Sequence, residues 1–159
     1  MEATVAYDMD LAFVYTGPTK IVFGAGAAND VEMEAAGLGC KRALVVTDPG
    51  VTKAGLVDGV LKSLGDRCAG VWSDVPQDTG LGVVNRAAAF ARKRGADCVV
   101  SGVGGSVIDT GNGVCILLTE GGGLENFEGI QLLTRPQTPH IVIPTTAGTG
   151  SEVTCMAVI

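Results

Sequence analysis

"ADCVVSGVGGSVIDTGNGVCILL", Ala96–Leu118, is an apolar run, a glycine turn and a second long apolar segment. It reads as a buried strand passing through glycines into a helix. A strand, a glycine turn and a helix start leave a cluster of free backbone N–H groups at the positive end of the helix dipole, and phosphate fits such a place. Gly104 and Gly105 let a diphosphate approach the backbone, Ser106 can donate from its hydroxyl or cap the helix, and Asp109 suits the dipole of the first turn. A tight strand-to-helix turn that binds nothing has the same residues, so this stretch alone leaves both readings open.

The rest of the chain repeats the strand–helix alternation. "AFVYTGPTKIVFG" reads as two short strands around Gly17 and Pro18, a β-hairpin at the N-terminal end, and a short helix follows through Ala27–Ala36. "RALVVTD" (Arg42–Asp48) reads as a buried strand, Val51–Leu64 as a helix weakened by Gly55 and Gly59, and "CAGVWSDV" as the next strand. The clearest helix is "DTGLGVVNRAAAFARKRG". Asp78 or Thr79 can cap it, Leu81, Val84, Ala88 and Ala91 share one face, Arg92, Lys93 and Arg94 crowd the last turn, and Gly95 ends it. "PHIVIPTT" is the last strand. Alternation of this kind predicts an α/β fold, a Rossmann-like, doubly wound, mostly parallel sheet covered on both faces. Ligands of such sheets bind at the carboxyl ends of the strands.

The strand endings are therefore the candidate site. Asp48 ends one strand, where an acid can accept hydrogen bonds from an adenosine ribose and repel a 2′-phosphate; Asp48-Pro49-Gly50 is equally a turn or helix cap. "IPTTAGTGSEVT" (Ile143–Thr154) offers several hydroxyls and glycines after a strand. Within it Thr149-Gly150-Ser151-Glu152 matches a capping box, but Thr145 and Thr146 exceed what capping requires. "GAGAAND" imitates a dinucleotide fingerprint at Gly24 and Gly26 with Asn29 in place of the third glycine, and reads as a turn into the first helix. His140, the sole histidine, cannot build a His-rich metal centre and reads as a surface or strand-end residue.

Composition narrows the function. A net charge of −6 disfavours nucleic acid, which needs a basic face. No apolar stretch is long enough to span a membrane, and the acidic start "MEATVAYDMD" has no signal-peptide pattern, so the expected location is the cytoplasm. The 24 glycines are roughly twice average usage and are scattered without period, which suits tight turns and close backbone approach to a ligand. Five cysteines occur without a CxxC, so they are expected as buried thiols in a reducing compartment.

Taken together, "GGSVIDT" and "IPTTAGTGSEVT", with "VTD" and "VPQDT" upstream, resemble the iron-containing (group III) alcohol dehydrogenases, from "FGAG" to the last residue. The resemblance implies that residues 1–159 form the NAD(P)-binding domain of a two-domain enzyme. Its second domain, all-helical and carrying a divalent metal, iron or zinc, on an aspartate and three histidines, would lie outside this chain. The metal would polarise an alcohol oxygen while hydride passes to the nicotinamide, interconverting a small alcohol and an aldehyde. On this pattern Asp48 meets the adenosine ribose and favours NAD. Pro76 lies beside the adenine, while Gly104, Gly105, Ser106 and Asp109 cradle the pyrophosphate. Thr145, Thr146 and Thr149 line the path to the nicotinamide. No catalytic residue and no metal ligand is assigned within the chain, which alone is expected to be inactive and, with surface normally covered, open to homo-oligomer formation.

Three positions depart from the family pattern. Val103 and Gly111 stand where glycine and alanine are usual, and Asn112 replaces a lysine. Loss of a partly solvated cation beside phosphates is worth on the order of 1 kcal/mol, roughly fivefold in affinity. A nucleotide-binding or interaction module without catalysis, and a remnant that binds nothing, are the competing readings.

Overall fold

The computed structural model describes residues 17, 19–129, 132–146, 148–154 and 157–159. The described strands are β1 (Ala43–Val46), β2 (Cys68–Trp72), β3 (Cys98–Val103) and β4 (His140–Pro144), and the α-helices are α1 (Val31–Gly37), α2 (Pro49–Lys53), α3 (Asp58–Leu64), α4 (Leu81–Lys93) and α5 (Gly105–Glu120). The strands form one parallel sheet in the order β2-β1-β3-β4. The chain leaves β1 for β2 on one side and returns to β3 on the other. The switch point of this doubly wound sheet therefore lies between the carboxyl ends of β1 and β3.

The two faces of β1 show why its run is apolar throughout. Leu44 and Val46 point to one face and pack with Val84, Ala88 and Val114 of α4 and α5. Ala43 and Val45 point to the other and pack with Val31, Ala35, Val60 and Leu64 of α1 and α3. All four strand residues are fully buried, so a strand with helices on both sides loses the polar–apolar alternation of a half-exposed one. Burying each Val or Leu contributes roughly 1.5–3 kcal/mol.

Two helix glycines are explained by close packing. A methyl group on Gly113 would stand 2.6 Å from Val84 Cγ1, where α5 crosses α4, and one on Gly111 would stand 2.6 Å from His140 Nε2. The helix-propensity cost of glycine, about 1 kcal/mol, is thus accepted where a side chain would collide.

Several expectations require correction. The first arm of the expected hairpin lies outside the described residues, and the described part of the second, residues 19–23, is not a strand. The first helix begins as a 3-10 turn, Ala27–Asp30, before α1. The helix expected over Val51–Leu64 is two helices, because Gly55 takes the left-handed conformation (φ +70°) just past the end of α2. Gly80, not Asp78 or Thr79, occupies the N-cap of α4, with no side-chain cap, and Leu81 is exposed while Ala87 takes its expected place in the core. Cys40, Cys98 and Cys115 are buried free thiols as expected, Cys68 is half-buried, and Cys155 lies outside the described residues.

Candidate functional site

A cleft of about 550 Å³ opens at the switch point, with Asp48, Pro76, Gly104, Ser106, Thr146 and Thr149 among its lining residues. β1 and β3 are tied together at its floor. The buried Thr47 hydroxyl donates to Gly102 O (3.3 Å) and its N–H extends the β1–β2 pairing to Trp72 O (2.9 Å). Asp48 then starts α2, its Oδ1 accepting from Val51 N–H at 2.9 Å, so the helix-cap reading of this residue is realised. Its second oxygen has no protein partner among the described residues and is available to a ligand in the cleft.

The N-terminus of α5 faces the same cleft. Gly104 is its N-cap in an extended conformation, with no side-chain hydrogen bond to the first turn. Ser106, which the sequence left free to cap the helix, instead donates to Gln77 O, latching the loop after β2 to α5. Thr110 Oγ1 adds a second latch, 2.8 Å from Thr79 Oγ1, while donating to Ser106 O at 2.7 Å. The glycines hold the two ligand-facing loops close together. A methyl on Gly104 would lie 3.6 Å from Thr146 Oγ1, and one on Gly105 would lie 3.4 Å from Ser151 Oγ.

Within the loop after β4, Val153 N–H and Thr154 N–H donate to Gly150 O (3.0 and 3.1 Å) and close a turn. Thr149 Oγ1 donates to Glu152 Oε2 at 3.3 Å, a bond between side chains and not the side-chain-to-backbone pair of a capping box, and no helix follows among the described residues.

Two predicted site residues stand outside the cleft lining. Thr145 is exposed beside it. Asp109 is only 7% exposed, and its carboxyl lies near the Ser151 hydroxyl and the Val158 backbone. Burial raises its carboxyl above the usual range, and these two neighbouring donors pull it partly back. Conversely, Pro49, Asp74 and Val107 line the cleft without having been singled out. Their signal was position, each lying just past a strand end. The ionisable residues of the lining are the carboxylates Asp48 and Asp74, with no lysine or arginine. An anion there would rest on backbone N–H groups and hydroxyls.

His140 takes the strand-end alternative of the expectation, and Asn112 stands away from the cleft. His140 begins β4 half-buried, with both ring nitrogens engaged. Its Nε2 lies 2.7 Å from Ser101 Oγ and its Nδ1 lies 2.9 Å from Asn112 Oδ1. Burial holds the imidazole down at about 4. Asn112 lines a second groove along β4 rather than the cleft, so the geometry gives no support to a lost phosphate contact at this position. Gly24 of "GAGAAND" also lies in that second groove.

The fold and the cleft define a Rossmann-like α/β domain with its site at the carboxyl edge of the sheet. The chain belongs to the iron-containing alcohol dehydrogenase family, whose model matches residues 18–159. It is 37% identical to alcohol dehydrogenase 4 of Schizosaccharomyces pombe over 144 residues, covering 89% of this chain and 34% of that protein. Among solved structures it resembles a 1,3-propanediol oxidoreductase (TM-score 0.83, 36% identity, 91% of this chain and 38% of that one). It also resembles sulfoacetaldehyde reductase from Bifidobacterium kashiwanohense in complex with NAD+ (TM-score 0.81, 28% identity, 91% and 39%). The chain thus spans between a third and two fifths of the length of these relatives.

Among the described residues, the group of three side chains placed to hold a metal is Cys40, Asp97 and Cys98, at the opposite edge of the sheet. The described residues do not provide the aspartate and histidine set of the family resemblance near the cleft. No helix of the described residues is long and apolar enough to cross a membrane.

Proposed function

We propose that this chain is the dinucleotide-holding portion of an NAD-dependent, metal-dependent alcohol dehydrogenase that interconverts a small alcohol and its aldehyde in the cytoplasm. The observation that carries this reading is the uncapped N-terminus of α5 opening into the switch-point cleft opposite Thr146 and Thr149. A pyrophosphate there accepts hydrogen bonds from the first-turn N–H groups, with Gly104 and Gly105 leaving room for it. The Ser106 hydroxyl is committed to Gln77, so Ser106 contributes its backbone N–H and fixes the loop that carries Pro76 beside the adenine.

Asp48 receives the adenosine ribose hydroxyls on its unpartnered oxygen, and its charge, with that of Asp74, disfavours a 2′-phosphate. Thr145, Thr146 and Thr149 orient the portion running to the nicotinamide. Asp109, buried beside Ser151, acts as a positioning residue for the loop that carries Thr149. Bound NAD would supply the hydride acceptor, and the iron or zinc of the family resemblance, which would polarise the alcohol oxygen, would be held by residues other than those lining this cleft. The exposed Phe23 and Ile21 beside the second groove suit contact with such a domain or with another copy in a homo-oligomer.

Titration calorimetry with NADH tests the reading. One-to-one saturable heat is expected, abolished by Gly105→Val, which fills the cradle. A folded chain that gives no heat at millimolar NADH would overturn it.

A further inference from the structure

The amino edge of the sheet carries a side-chain group that dinucleotide binding does not use. Cys40 follows α1, Cys98 opens β3, and Asp97 immediately precedes it. Two Sγ atoms and a carboxylate oxygen from these residues all lie within 4.8 Å of one another. Both cysteines are free and buried, while Asp97 is exposed.

The group is held in place without any ligand. The Asp97 carboxylate accepts from Lys41 N–H (3.0 Å) and Arg42 N–H (2.8 Å), the two residues that follow Cys40. Asp97 N–H donates back to Arg42 O at 2.9 Å. Arg67, which donates through Nε to Glu32 at 2.7 Å, also donates to Cys40 O and brings a cation beside the thiols. Register does the rest, since Cys98 pairs with Ala43 in the sheet.

We propose that Cys40, Cys98 and Asp97 form a binding site for a thiophilic divalent d10 cation of the zinc and cadmium class. With metal–sulfur bonds of about 2.3 Å and metal–oxygen bonds of about 2.0 Å, tetrahedral ligand atoms stand roughly 3.5–3.8 Å apart. The three atoms need to draw together by only about 1 Å to reach it. Binding forms two metal–sulfur bonds and one metal–oxygen bond, breaks two S–H bonds and releases two protons to solvent. Two thiolates and a carboxylate around a divalent ion carry one net negative charge, which Arg67 offsets. The exposed Asp97 gives the entry path, and water completes the fourth position.

This site is separate from the metal of the proposed alcohol chemistry. The length of β3 alone sets it roughly 20 Å from the α5 N-terminus.

The test is titration of the reduced, metal-free chain with Cd2+, followed by the ultraviolet thiolate-to-cadmium absorption. The expected result is one tightly bound Cd2+ per chain, displaced by Zn2+. Affinity should fall at least a hundredfold in Cys40→Ser and Cys98→Ser and roughly tenfold or more in Asp97→Asn, and stay unchanged in Cys68→Ser. Cd2+ should also raise the thermal midpoint of the wild type. Absorption that survives in both Cys40→Ser and Cys98→Ser, or no saturable absorption from the folded wild type, would overturn the proposal. Where a serine variant fails to fold, the 113Cd chemical shift of the wild type decides. A two-sulfur shift supports the site and an oxygen-only shift sinks it.

Discussion

His140 Nε2 lies 2.7 Å from Ser101 Oγ, joining β4 to β3 through side chains as well as through the backbone ladder. With Asn112 presenting Oδ1, the Nδ1–H donates to Asn112 and Nε2 accepts from Ser101, so the bonded imidazole is neutral. Burial holds its pKa at about 4, against 6.5 for the free side chain. Between these values the unfolded chain binds the proton and the folded chain does not. This contribution to stability is therefore complete above about pH 6.5 and is lost as pH falls toward 4, at no more than about 1.4 kcal/mol per pH unit. Urea unfolding between pH 7 and pH 5 should show the slope, and His140→Gln should flatten it. Parallel curves for the two proteins would exclude His140 as its source.

The room for that ring comes from Gly111. A Cβ at this position would stand 2.6 Å from Nε2 and also strike Ser101, and a Cβ on Gly113 would stand 2.6 Å from Val84 Cγ1. Alanine is the better helix former by about 1 kcal/mol. Overpacking a fully buried site costs roughly 1–3 kcal/mol, and here it outweighs propensity because the obstructing side chains are held, Ser101 and His140 by their mutual hydrogen bond and Val84 by core packing. Gly111→Ala and Gly113→Ala should both lower the urea midpoint, and Gly111→Ala should also flatten the His140 pH dependence. A gain in stability from either variant would show that the neighbouring helix or strand moves away at little cost.

Asp48 serves two roles that one substitution can separate. Asparagine caps a helix about as well as aspartate, so Asp48→Asn should keep the bond to Val51 N–H and change stability by less than about 0.5 kcal/mol. It removes the charge proposed to repel a 2′-phosphate. The NADH-over-NADPH affinity ratio should then fall roughly fivefold to tenfold, as calorimetry with each cofactor would show. An unchanged ratio with unchanged stability would leave Asp48 as a helix cap only.

The legible parts of this fold are those set by local chemistry. β1 could be read because a strand covered on both faces is an apolar run with polar ends, and α4 because its core stripe recurs at helical spacing. The cleft was legible for the same reason: parallel strands place their carboxyl ends together, and Asp48, Pro76, Gly104 and Thr146 each follow one. What could not be read depends on contacts between distant segments. Ser106 has a free capping role in the sequence but is drawn off by Gln77. His140 has no visible partner until β4 lies beside β3 and α5. Cys40 and Cys98 show no metal-ligand spacing, because sheet register, not sequence distance, brings them together. Gly55 was visible as a weakness in the helix, but only its left-handed φ, with two helices either side, makes it a break.

Asp109 illustrates how a residue outside the cleft can govern it. Its carboxylate lies near the Ser151 hydroxyl and the Val158 N–H, and Ser151 lies against Gly105 in the loop that carries Thr149 into the lining. Asp109→Ala removes the carboxyl from a site 7% exposed and leaves a void beside Ser151, a loss of about 0.5–3 kcal/mol. Asp109→Asn keeps the size and one acceptor oxygen, so its effect should be smaller. Because the carboxylate is proposed to hold the loop and not to touch the cofactor, NADH affinity should weaken in the order Asp109→Ala, then Asp109→Asn, without any change in the NADH-over-NADPH ratio. Calorimetry with both cofactors, alongside urea unfolding, reads each part separately. A shift in the ratio would place Asp109 in contact with the dinucleotide and contradict its assignment as a positioning residue.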